Sequence, residues 1–210
     1  MNAEKYLRYL QSEIHSAVFA TADKNGYPFT CVIDIMLADE GGLYFLTATG
    51  KAFYDRLKAR GTVSVTGFKG TDTMFSKAVT VRGKAREIGT GLIPRIFEKN
   101  PYMAEIYPDV ESRTALTVFQ IYEGEGEFFD LSQKPIFRES FAFGGAAEQT
   151  NGYFVTDACI GCKLCYSVCP QKCIEIDGTP VIIEQEHCLH CGKCLDICPA
   201  GAVEKRQDNT

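Results

Sequence analysis

No apolar run in this 210-residue chain approaches about 20 residues, so nothing in it reads as a membrane-spanning helix. Positive charge is also scarce. Against 27 Asp and Glu there are 22 Lys and Arg, and the formal net charge of −5 disfavours a nucleic-acid partner. The N-terminus, Met1-Asn2-Ala3-Glu4-Lys5-Tyr6, lacks the apolar stretch of a signal peptide and reads as the start of a short amphipathic surface helix. Without an export signal the expected compartment is the reducing cytoplasm. Cysteine is nearly missing ahead of Cys159: of the ten, only Cys31 precedes it. A disulfide scaffold would spread its cysteines through the fold it staples, so this clustering points to metal.

What is present reads as two parts and a join: residues 1–132, 133–152 and 153–210. Tyr6, Leu7, Leu10 and Ile14 recur at helical spacing and predict an opening helix over 4–14. Strands are expected at Ser16–Ala22, Phe29–Ala38, Leu43–Thr47, Thr62–Phe68, Ala78–Ile88 and Ala115–Asp130. Asn25-Gly26 and Asp39-Glu40-Gly41-Gly42 supply turns. Lys51–Arg60 reads as a helix stopped by Gly61, and Leu92–Ile106 as another with Pro94 in its first turn. Many antiparallel strands with few helices predict a small closed barrel, because closure removes sheet edges. The join carries Gly144-Gly145-Ala146-Ala147 and Asn151-Gly152 and reads as loop. Phe137, Phe141 and Phe143 within it are expected to pack on one of the domains.

The last part contains a repeat. Cys159-x2-Cys162-x2-Cys165-x3-Cys169-Pro170 recurs as Cys188-x2-Cys191-x2-Cys194-x3-Cys198-Pro199, an offset of 29 residues (188 − 159). Three cysteines two residues apart wrap a tight loop, so their thiolates converge on three corners of a cubane. The fourth cysteine of such a run ligates the other cluster. One [4Fe–4S] cluster is therefore assigned to Cys159, Cys162, Cys165 and Cys198, and a second to Cys188, Cys191, Cys194 and Cys169. Zinc also uses CxxC pairs, but the third CxxC step and the trailing Cys-Pro, repeated without a slip, favour the clusters. Over about 50 residues this region resembles the bacterial two-cluster ferredoxins, a small α+β fold. Cys173, four residues after Cys169 as Ala202 is after Cys198, reads as a packed, unligated thiol, with a spare ligand as the alternative. His187 and His190 read as surface residues that tune a cluster. Two oxidised cubanes would take the chain from −5 to roughly −9, an acidic carrier suited to a basic docking patch.

The first part resembles the FMN-binding split barrel of the pyridoxamine 5′-phosphate oxidase-like superfamily. The matching stretches are Gly26–Ile33, Leu43–Thr47, Gly50-Lys51, Leu57–Val65 and Ala78–Ala85, in that order. The resemblance implies that Phe29, Thr30, Cys31 and Val32 lie along the flavin, that Leu46 and Thr47 end the next strand, and that Thr47 and Lys51 hold the phosphate. The positive end of a helix beginning near Lys51 would add to the hold. Lys77 matches a position that is often basic. By residue type alone both lysines are solvated surface residues. The resemblance also implies a homodimer. The vitamin oxidase's own Tyr/Arg/Ser substrate set and C-terminal tryptophan segment have no counterpart here, and the chain has no Trp. True pyridoxamine phosphate oxidation is therefore not expected.

Together the parts imply a flavin/iron–sulfur oxidoreductase that passes electrons between FMN and two clusters. Its acceptor could be a nitroaromatic, a free flavin, a quinone or a redox protein. The alternatives are a non-enzymatic electron carrier, a barrel holding haem or F420 instead of FMN, and a structural zinc protein.

Overall fold

The computed structural model describes residues 3–148 and 150–206. Helix α1 (Glu4–Tyr9) runs into one wider π turn at Leu10–Ile14, and His15 breaks it with a positive φ of 64°. Strands β1 (Ser16–Ala22), β2 (Pro28–Asp39) and β3 (Gly42–Ala48) form a meander. Helix α2 (Ala52–Arg60) follows and is ended by Gly61 in the left-handed conformation. Next come β4 (Thr62–Lys69) and β5 (Lys77–Gly89). Helices α3 (Ile93–Lys99), α4 (Met103–Ile106) and α5 (Val110–Arg113) lead to β6 (Leu116–Asp130) and β7 (Phe137–Phe143).

The sheet order is β3-β2-β1-β4-β5-β6-β7, and β3 also pairs with β6. That pairing closes six antiparallel strands into a barrel and leaves β7 as the added strand. No strand edge is left open within the ring. The barrel interior is aromatic. Phe19, Phe45, Phe53 and Phe119 pack with ring centroids 4.9 to 6.3 Å apart, Phe53 arriving from α2. Strand β3 is buried on both faces. Phe45 faces the ring cluster, while Leu46 packs outward beneath α3 and α4 with Met36, Ile96 and Phe97. Its run Leu43-Tyr44-Phe45-Leu46 lacks the alternation of a half-solvated strand for that reason.

Two expectations change. The helix read over Leu92–Ile106 is two helices. Pro101 has no N–H and disfavours a helical residue before it, and Asn100 sits at φ −128°, ψ 71°. The Asn100 amide nitrogen then caps the break, donating to the Ile96 and Met36 carbonyls. The stretch 133–152, read as loop, also contains β7. Phe141 and Phe143 are buried there, with Ala142 between them partly exposed, which is the period of a strand.

The remaining elements are short. Strand β8 (Gly152–Val155) pairs with β11 (Val203–Arg206), and β9 (Ile174–Glu175) with β10 (Ile182–Ile183). Between them lie α6 (Leu164–Val168) and α7 (Lys193–Ile197). The chain forms two compact units: one of 1–69, 78–127 and 141–147, the other of 70–77, 128–140 and 148–210. No helix among the described residues is long and apolar enough to cross a membrane.

Candidate functional site

The cysteine repeat is also a repeat of backbone shape. Left-handed residues occur at Gly161, Lys163 and Lys172 in the first half, and at His190, Gly192 and Gly201 in the second. Each pair is separated by the same 29 residues as the cysteines. Lys163 and Gly192 begin α6 and α7, which carry Cys165 and Cys194. Cys169 and Cys198 leave those helices in matching extended conformations. Such left-handed turns let three closely spaced cysteines face one centre.

Two hollows result. The first is lined by Cys159, Cys162, Cys165 and Cys198. The second is lined by Cys169, Cys188, Cys191 and Cys194, with Cys173 beside them. Each therefore takes three cysteines from one motif and its fourth from the other. Among the described residues no three His, Cys, Asp or Glu side chains converge closely enough to hold a single metal ion. Backbone N–H groups point at the sulfurs: Gly161 at Cys159 (3.5 Å), His190 at Cys188 (3.4 Å) and Ala202 at Cys198 (3.3 Å).

The Cys173 thiol is buried beside the second hollow, its sulfur 3.6 Å from that of Cys169. Cys173 draws the Cys188 thiol below its usual range, against burial and with help from the His190 N–H and the Arg138 charge. Burial pushes the pKa of Cys194 up to about 11. No motif marks Arg138 in advance. Its guanidinium donates to the Cys188 carbonyl at 2.9 Å. Neighbouring Ile136 is tied to the same region, its N–H donating to Gln171 and its carbonyl accepting from His187 Nδ1 at 2.8 Å. His187 is thus engaged by its imidazole and is not a free surface residue.

In the barrel, Phe29–Val32 occupy β2, opposite Thr21, Ala20, Phe19 and Val18 of β1. Cys31 therefore shares a face with Phe19, and Thr30 and Val32 point the other way. Burial raises the Cys31 thiol, while Arg56 and Lys51 lower it, so both cations act on this strand. Arg56, from α2, also donates to Thr21 at 2.9 Å and lies over the Phe29 ring at 4.6 Å. It belongs with the candidate residues, and no spacing rule on α2 singles it out from Lys58 or Arg60. Thr47 is buried, and Lys51 is the residue before α2, whose first turn has no side-chain cap. The Leu46 side chain is committed to the outer cluster, which leaves only its backbone for a ligand. Lys77 belongs to the second unit, where its ammonium lies 3.3 Å from buried Asp130.

Comparison with known proteins fits this geometry. Residues 3–127, more than half of the chain, match the family model described as pyridoxamine 5′-phosphate oxidase, and residues 158–202 match that of the 4Fe-4S dicluster domain. No curated protein matches the chain. Among solved structures, a NimC/NimA family protein from Clostridium acetobutylicum has 16% identity and a TM-score of 0.56, covering 67% of this chain and 92% of its own. PhzG from Burkholderia lata 383, solved with tetrahydrophenazine-1-carboxylic acid, has 16% identity and a TM-score of 0.52, covering 69% and 86%. A heme binding protein from Mycobacterium smegmatis has 14% identity and a TM-score of 0.52, covering 68% and 58%. At these identities the likeness is one of fold. The chain belongs to the pyridoxamine 5′-phosphate oxidase family and carries an iron–sulfur dicluster domain after its split barrel.

Proposed function

We propose that this family member is a flavin/iron–sulfur oxidoreductase, with FMN on the barrel and two [4Fe–4S] clusters in the two hollows. The observation that carries the reading is the exchange of the fourth cysteine. Cys198 completes the hollow of Cys159, Cys162 and Cys165, and Cys169 that of Cys188, Cys191 and Cys194. Cubanes need four sulfurs at four separate irons, whereas zinc needs them about 2.3 Å from one point. When bound, FMN supplies two-electron chemistry and the clusters one-electron transfer.

The residues support FMN in definite roles. Lys51 and the uncapped start of α2 offer a cation and backbone N–H groups to a phosphate. Arg56 adds a second cation facing β2, and Phe29–Val32 supply the strand along which the ring lies. Outward-facing Val18 and Val32 are cross-strand neighbours, 44% and 66% exposed. Covering that apolar pair is what a homodimer would do. The small acceptor is a nitroaromatic, a free flavin or a quinone.

A carrier between redox proteins is the second reading. It is favoured by Cys162 and Cys191, which are exposed and bring each cluster to the surface.

The test is purification without oxygen followed by iron, sulfide and flavin analysis. About eight irons per chain and one FMN are expected. Iron without flavin would remove the FMN assignment, and zinc in place of iron would remove the redox reading. Saturable turnover of a small acceptor separates the enzyme from the carrier.

A further inference from the structure

We infer that the two clusters are inequivalent: the one on Cys169, Cys188, Cys191 and Cys194 has the higher reduction potential and holds the electron when the pair is half-reduced. This rests on the cluster reading proposed above.

Solvent does not separate the two sites. Each has one exposed cysteine (Cys162, Cys191), one buried (Cys165, Cys188) and two partly exposed. Nearby charges largely match as well. Asp157 and Glu186 precede the two motifs by the same two residues, and each motif carries one lysine at the start of its helix, Lys163 or Lys193. Asp196 has no acidic counterpart but pairs with Lys193. Lys172 binds the Tyr166 and Ser167 carbonyls, on the segment joining a ligand of one cluster, Cys165, to a ligand of the other, Cys169.

The first site has two backbone N–H groups on its sulfurs, from Gly161 and Ala202, against one from His190 in the second, and His187 and His190 flank Cys188 where the first site has Ala158 and Gly161. Against that one extra N–H, two side-chain donors belong to the second site alone. Arg138 donates to the Cys188 carbonyl at 2.9 Å. Among the described residues no charged side chain binds the carbonyl of Cys159, its counterpart in the repeat. The Cys173 thiol lies 3.6 Å from the Cys169 sulfur. The corresponding position in the first site is Ala202, which has no donor side chain.

Reduction adds one electron, and so one negative charge, to a cluster. A cation and hydrogen-bond donors beside its sulfurs stabilise the reduced form more than the oxidised one and raise the potential. The stretch Ile136–Arg138 is held in place for this. His187 and Gln171 bind its backbone, which fixes where the guanidinium points.

The experiment is an anaerobic redox titration of the full-length holoprotein with dithionite, followed by electron paramagnetic resonance. The wild type should titrate in two one-electron steps. Arg138→Gln and Cys173→Ala should each move the upper step down and leave the lower one in place, while Arg138→Lys retains most of the wild-type value. A tenfold change in the oxidised-to-reduced ratio at fixed potential is a shift of about 59 mV. A single step in a protein with its full iron content, a shift confined to the lower step, or no shift in either variant overturns the inference alone. If Arg138→Gln fails to assemble clusters, Cys173→Ala decides. If the wild type lacks about eight irons, the cluster reading itself falls and takes this inference with it.

Discussion

Cys198 lines the same hollow as Cys159, although 39 residues (198 − 159) separate them in the chain. Cys169 and Cys188 share the other hollow in the same way. Helices α6 and α7 therefore each bridge both sites, entering at one hollow and leaving at the other. Assembly of one half depends on the other, as expected for halves too small to hold a core alone.

Removing one exchanged ligand tests that arrangement. Cys198→Ser should lower bound iron from about eight to about four per chain, and the cluster that survives should be the one on Cys188, Cys191, Cys194 and Cys169. Iron and sulfide analysis with resonance spectroscopy reads the outcome. Loss confined to the other cluster would mean that each motif binds its own four cysteines.

Lys51 is expected to act on the phosphate of the flavin. A hydrogen bond to a charged group contributes about 1.5–3 kcal/mol, so Lys51→Gln should weaken FMN binding about ten- to a hundredfold. Riboflavin, which has no phosphate, should bind both proteins equally. Fluorescence titration with the two flavins distinguishes a phosphate contact from a general loss of the site.

Val32 and Val18 form the apolar pair on the outward face of β1 and β2. Val32→Lys should convert the proposed dimer to a single chain of 23.2 kDa in sedimentation analysis. Burying an unpaired ammonium costs more than the apolar contact contributes. A variant that sediments like the wild type would move the interface elsewhere.

Asp130 gives a pH signature. Burial raises its carboxyl, but donors from Ser132, Gln133 and Lys77 outweigh that and hold it below the usual carboxylate range. The unfolded value is about 3.9. The stabilisation is therefore full above that pH and is lost as pH falls through the lower folded value. Asp130→Asn should destabilise the protein by about 1–3 kcal/mol at neutral pH in urea unfolding. The gap to wild type should close below about pH 4. A gap independent of pH would assign the effect to packing.

Much of this protein is legible in its sequence, because the features in question repeat at fixed spacing. Ser16–Ala22 is a strand to the residue, and the other strands of the barrel ring end within one residue of expectation. Alternation of two marks a strand wherever one face is wet. The same alternation at Phe141 and Phe143 is overshadowed by the glycines that follow. The cysteine motif predicted which four cysteines share a hollow, since three closely spaced thiolates would reach only three corners of a cubane and need a fourth from the other motif.

Only the tertiary structure decided the rest. Arg56 over Phe29, Arg138 on the Cys188 carbonyl and Lys77 on Asp130 join residues 27, 50 and 53 positions apart (56 − 29, 188 − 138, 130 − 77). Nothing local marks a cation that will meet its partner across such a distance. Whether a lysine or arginine is a solvated surface group or part of a site depends on which strands and loops closure brings beside it. That is set by the sum of many packing contacts, not by the residue or its neighbours in the chain.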